Sequence, residues 1–236
     1  AFDGNVSLTS DGTGGGNGRG IQLFDGPAFI QTRDGNITLD GTGRGTGSNR
    51  MGVWLEGQAG ERIEATGSGN IVIAGVGSSA SSGDSIRGVS IGNGTTSANA
   101  IVRANTGSIA ITGTAAGMGI GSDFNNGVLI AGTVETTGAV AGATITIDGD
   151  GGGGDNSNRG VLIIGPASVA TAEGNISITG DGGAAIGANN QGVEIGNTAQ
   201  VKSNGSGTIT VLATGGTGTD TNRGFYMRDT ALVDTN

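Results

Sequence analysis

The chain has 236 residues but weighs only 22.7 kDa, because 53 of them are glycine, about three times the usual ~7% share. It holds no cysteine and no histidine, which removes disulfide frameworks, thiolate metal sites and imidazole catalysis. A net charge of −9, with Lys202 as its one lysine, argues against nucleic acid as a partner. No apolar run approaches the ~20 residues of a membrane span, and two prolines without a glycine triplet period exclude collagen.

The first predicted element in each repeat is a phrase of the form Gly-Asn-Ile-x-Ile. It runs Gly4-Asn5-Val6-Ser7-Leu8, Gly35-Asn36-Ile37-Thr38-Leu39, Gly69-Asn70-Ile71-Val72-Ile73 and Gly107-Ser108-Ile109-Ala110-Ile111. It continues as Ala143-Thr144-Ile145-Thr146-Ile147, Gly174-Asn175-Ile176-Ser177-Ile178 and Gly207-Thr208-Ile209-Thr210-Val211. The intervals are 31, 34, 38, 36, 31 and 33 residues, so seven units cover the chain. A second phrase, Arg-Gly-Val-x-Ile, follows in step with apolar pairs Ile21/Leu23, Val53/Leu55, Val89/Ile91, Val128/Ile130, Val161/Ile163, Val193/Ile195 and Phe225/Met227. A third has Ile30, Ile63, Val102, Val134, Val169, Val201 and Val233, each followed two residues on by Thr32, Ala65, Ala104, Thr136, Thr171, Ser203 or Thr235.

Every phrase alternates inward and outward positions, the period-2 signature of a strand with one buried face. All inward positions outside the small-residue column are apolar, although the chain is only 34% hydrophobic. Helical solenoids need amphipathic stretches that so many glycines forbid, and a propeller blade needs four strands. Three strands of about four residues per ~34-residue unit predict an all-β fold, a right-handed parallel β-helix (β-solenoid) of about seven coils. Each strand would pair with its copy about 4.8 Å away, giving a rise of about 34 Å. Residues 1–236 read as a single solenoid segment, and neither end reads as a cap, which makes it an expected part of a longer repeat protein.

The arcs between first and second phrases are glycine-rich, as in Asp11-Gly12-Thr13-Gly14-Gly15-Gly16, Asp40-Gly41-Thr42-Gly43 and Gly149-Asp150-Gly151-Gly152-Gly153-Gly154. Asn125, Asn158, Asn190 and Asn222 precede the second phrase at one fixed offset. Either their amides bond one another along the stack, or asparagine simply tolerates a left-handed bend there.

Chemistry is sparse. Outward positions of the second phrase are Gln22, Trp54, Ser90, Leu129, Leu162, Glu194 and Tyr226; after the first phrase come Thr9, Asp40, Ala74, Thr112, Asp148, Thr179 and Leu212. Neither series sets two carboxylates on adjacent coils, as glycoside hydrolysis needs at about 5–9.5 Å. A polysaccharide-cleaving enzyme is therefore the remote alternative, and no catalytic residue is assigned. Asp148, Asp150 and Asp155 bracket a glycine run and are candidate calcium ligands, since hard cations take carboxylate and carbonyl oxygens, although Asp-Gly pairs also serve simply as turns. No other cofactor is expected. Arg19, Arg87, Arg159 and Arg223 stand ahead of the second phrase in four coils, forming either a solvated corner or an outward column that grips anionic glycan or a neighbouring fibre's acids. With Trp54 and Tyr226, read as exposed aromatics, they make up a candidate surface for a glycan or host-receptor ligand.

The Gly-Asn-Ile-x-Ile-x-Gly and Asn-Arg-Gly-Val-x-Ile strands together resemble the β-helical shafts of bacterial filamentous-haemagglutinin-like and autotransporter adhesins. That resemblance implies export from a bacterium, an extracellular or cell-surface location, and a role in adhesion or as a fibre. The expected function is a structural segment of a rigid filament, the alternative a glycan- or receptor-binding module. Expected partners are further copies, end to end or side by side, with no membrane insertion by this segment.

Overall fold

The computed structural model of the chain describes residues 3–13, 18–94, 99–117, 121–140 and 142–235. Among them there is no helix, and 21 strands form three parallel seven-stranded sheets. The first sheet holds Val6–Asp11, Ile37–Thr42, Ile71–Val76, Ile109–Thr114, Ile145–Asp150, Ile176–Asp181 and Ile209–Thr214. The second holds Ile21–Leu23, Val53–Leu55, Val89–Ile91, Val128–Ile130, Val161–Ile163, Val193–Ile195 and Phe225–Met227. The third holds Phe29–Thr32, Arg62–Ala65, Ile101–Ala104, Thr133–Thr136, Ser168–Thr171, Gln200–Ser203 and Leu232–Thr235. Each strand pairs with its equivalent one coil away, so the chain is a seven-coil β-solenoid. The strands are six, three and four residues long where about four was expected throughout.

The register is set by the apolar columns. Ile109 pairs with Ile71 and Ile145, and Val128 with Val89 and Val161, so like side chains stack directly on like. A one-residue slip would turn every one of these side chains to the outside. In coils 2 to 6 the predicted inward residues are all buried, and they form one continuous core. β-Branched side chains suit it, because their χ1 is already restricted and the pleated surface accepts the branch. Coils 1 and 7 have a neighbour on one side, and their inward Leu8, Phe225 and Met227 stay exposed.

The small column closes the turn from the third strand to the next coil. The Thr32 and Thr171 hydroxyls donate to the carbonyls of Gly35 and Gly174 at 2.6 Å, which satisfies a buried polar group inside an apolar core. Glycine is required where the first sheet meets the entry to the second. A Cβ on Gly149 would lie 2.3 Å from the Gly160 carbonyl oxygen, and one on Gly113 would lie 2.2 Å from that of Gly127. The two backbones touch there, so the recurring glycines reflect close approach more than flexibility.

The corner asparagines do form a ladder, through backbone rather than amide-to-amide pairing alone. The N–H groups of Ile86, Asn125, Asn158 and Asn190 donate to the side-chain oxygens of Asn125, Asn158, Asn190 and Asn222 at 2.9 to 3.1 Å. The Asn158 amide also donates to the Asn190 side-chain oxygen at 3.3 Å. The left-handed residue is the one before each ladder position: Asn49, Ser85, Phe124, Ser157, Asn189 and Thr221 all have φ near +60°. A second ladder runs through the first phrase, where the Asn36, Asn70 and Ser108 N–H groups donate to the side-chain oxygens of Asn5, Asn36 and Asn70 at 2.8 to 2.9 Å. Its sequence signal is the asparagine recurring before the first inward isoleucine. Of the arc Asp11–Gly16, residues Gly14 to Gly16 lie outside the described residues.

Candidate functional site

The outer sides of the sheets differ. On the first sheet they carry exposed Thr38, Thr146 and Asp148. On the third they carry a charge ladder, in which Arg103 bonds Glu135 at 2.6 Å and Glu64 at 3.2 Å, and Gln31 donates to Glu64 at 3.2 Å. Sequence reasoning missed that ladder because no single phrase contains it; it exists only across the register Glu64, Arg103, Glu135.

The outer side of the second sheet is buried, which corrects the expectation of an open surface. Ser90, Leu129, Leu162 and Glu194 are all buried, and Trp54 is only 8% exposed. Over Trp54 and Glu194 the cover includes arginines. The Arg19 guanidinium lies 4.5 Å from the centre of the Trp54 ring in the next coil, and Phe24 packs on the same indole at 5.9 Å. Burial lowers the Arg19 guanidinium below its ordinary value, with nearby Arg50 adding to the effect. Arg223 stacks on Tyr226 at 4.6 Å and leaves that ring half-buried. Arg159 pairs with Glu194, also of the next coil, while Arg228 reaches the other oxygen of Glu194 at 2.8 Å and Asp229 at 2.5 Å. Arg19 and Arg159 are thus engaged by the protein's own ring and carboxylate, while Arg223 lies on Tyr226 and stays exposed. Trp54 is excluded as an exposed contact residue for the same reason.

Arg87 occupies the same column, but where Arg19 has Trp54 and Arg159 has Glu194 on the next coil, that outward position, the register partner of Ser90, is Leu129, which offers neither ring nor charge. Arg87 Nη2 donates to Ser85 Oγ at 3.3 Å, and among the described residues its buried Nε has no hydrogen-bond partner. Burial pushes its pKa down to about 10, so it remains a cation at neutral pH. Beside it a cavity of about 270 Å³ opens over Leu129 and Leu162, bounded also by Phe124, Asn126, Arg159 and Arg228.

The three candidate calcium ligands separate. Asp148 and Asp150 share the outer side of Ile145–Asp150, whereas Asp155 sits in the arc with its N–H donating to Ser122 at 2.8 Å. Among the described residues no three acidic side chains gather as a metal-binding group. The two outward series keep their acids apart, with Asp40 between Thr9 and Ala74 and Asp148 between Thr112 and Thr179, but a column further along the strand does not: Asp150 is the direct register partner of Asp181. The strand runs past the phrase that defined it, so this third outward column was not read. Burial raises the Asp150 carboxyl, and the charges of Asp148 and Asp181 raise it further.

A further departure lies ahead of the third sheet. The residue before each third strand is Ala28, Ala100, Gly132, Ala167, Ala199 or Ala231 in six coils, but Glu61 in coil 2. Glu61 is fully buried, one of its oxygens lacks a partner among the described residues, and it stands near Glu56, whose carboxyl is raised by burial first and by Glu61 second. Compared with protein-family models, with curated proteins and with solved structures, the chain matches none.

Proposed function

We propose that the chain is a structural segment of an extracellular bacterial β-solenoid fibre or surface filament, supplying a rigid shaft for adhesion or for filament assembly. The observation that carries this reading is the uniform stacking: all three sheets run unbroken through seven coils in parallel register. Such a rod transmits load through backbone ladders and one apolar core along its whole length. Several polar side chains serve the stack itself, Arg19 and Arg159 by bonding the next coil and the asparagines as corner ladders. Further copies, stacked end to end or side by side, are the partners this reading assigns. Electron microscopy of the native parent protein around its cells tests it. Long fibres with a continuous repeat of about 4.8 Å along the axis support the filament. Compact particles with no rod would sink it.

A further inference from the structure

Arg87 is a cation whose column neighbours have a ring or a carboxylate as partner, whereas among the described residues it has only the Ser85 hydroxyl. Arg19 lies over Trp54 and Arg159 pairs with Glu194, each using the outward residue of the next coil. At that place Arg87 meets Leu129, and among the described residues no carboxylate lies within ion-pair distance of it. A buried guanidinium Nε without an acceptor is costly unless something supplies one. The space for that acceptor exists, as the cavity of about 270 Å³ that Arg87 lines together with Leu129 and Leu162. This is slightly below the 300–1,000 Å³ of ordinary ligand clefts, which suits one ring with its substituents.

The chemistry of the lining is mixed in a specific way. Leu129 and Leu162 are register partners on adjacent coils and form an apolar floor. At its edge stands Phe124, 47% exposed and held at φ 62°, where neighbouring coils place Ser85, Ser157, Asn189 and Thr221. The left-handed φ belongs to this corner in every one of these coils, and what sets Phe124 apart is a bulky apolar ring where the others carry small polar side chains. On the far side Arg159 and Arg228 share the Glu194 carboxylate and so leave little free positive charge. The uncompensated charge is therefore at the Arg87 end, with apolar surface beside it.

We propose that this groove binds a small carboxylate carried on a ring, the anion bonded to Arg87 and the ring seated on Leu129 and Leu162 against Phe124. Two sources share that chemistry, an aromatic acid and a uronic acid from a polysaccharide, and they differ in the polarity of the ring. The inference stands on the groove alone and holds whether or not the chain is part of a filament.

The test is a methyl and guanidinium NMR titration of the 22.7 kDa chain with benzoate, with glucuronate and with neutral benzamide. Saturable shifts of the Leu129 and Leu162 methyls and of Arg87 Nε–H by benzoate or glucuronate support the site, and the tighter of the two names the source. Benzamide should bind at least about tenfold more weakly, and Arg87→Gln should lose a similar factor for the anions. Leu129→Glu supplies from within the carboxylate that Arg159 finds in Glu194, and should abolish binding while the fold is kept. Equal binding of benzamide, unchanged binding by Arg87→Gln, or no shift with either anion would each overturn the proposal.

Discussion

The first and second sheets are written in the same apolar-x-apolar phrase, yet one turns its outer side to solvent and the other hides it. In the first sheet Ile145 and Ile147 are buried and Thr146 between them is exposed. In the second, Val89, Ser90 and Ile91 are buried together. The difference comes from the arcs that lead into each sheet. The second is preceded in several coils by arginines long enough to reach the next coil, where Arg19 lies over Trp54 and Arg159 pairs with Glu194. Period-2 alternation tells which face is inward, and it carries no information about whether the other face will be covered.

Substitutions at paired positions sharpen the comparison. Ile145→Asp places an unpaired charge between coils and should destabilise the fold by about 4 kcal/mol or more, whereas Thr146→Ala should stay within about 0.5 kcal/mol, both read by chemical denaturation. The second sheet should show no such tolerance outside. Glu194→Gln leaves Arg159 and Arg228 without their shared carboxylate and should cost about 3 kcal/mol. Gly149→Ala, at the contact between the two sheets, should cost roughly 1–3 kcal/mol through its clash with the Gly160 carbonyl, while Gly142→Ala meets nothing within 4 Å and should be near neutral.

Smallest is the electrostatic effect on the exposed first sheet. The Asp150 carboxyl is raised in the folded state, so the native state holds its proton more tightly than the unfolded chain does. Its favourable contribution is therefore present below the unfolded value of 3.8 and is lost as pH rises through the raised folded value. Asp150→Asn should raise stability at pH 7 by only ~0.5 kcal/mol, because solvent screens the pair with Asp181, and the gain should vanish below about pH 4. A gain that persisted in acid would mean that Asp150 acts through something other than charge.

The columns of Ile, Val and Leu were legible because repetition averages over coils: a position that is apolar seven times needs no structure to be called inward. The seven coils, the three strands and the small-residue column follow from that. What departs from the average was not legible. Glu61 in a column of alanine and glycine, Phe124 among small polar corner residues, and Leu129 where a partner for Arg87 would stand are single exceptions, and each matters only against its neighbours in space. Asp181 was missed because the first strand extends beyond its phrase, and the cover over Trp54 because it depends on the reach of Arg19 across a coil. The asparagine at each corner was visible, but its ladder runs from backbone N–H to side-chain oxygen, a pairing that spacing alone does not specify.

The absence of cysteine makes one measurement direct: thiol labelling of single cysteines placed at Ser90 and at Thr146. Both residues are outward on their strands, but Ser90 is fully buried and Thr146 is exposed. The cysteine at 146 should react as fast as in the unfolded chain, and the one at 90 on the order of a hundredfold more slowly, since it must wait for local opening. Equal rates at the two positions would show that the outer side of the second sheet is open and contradict the account.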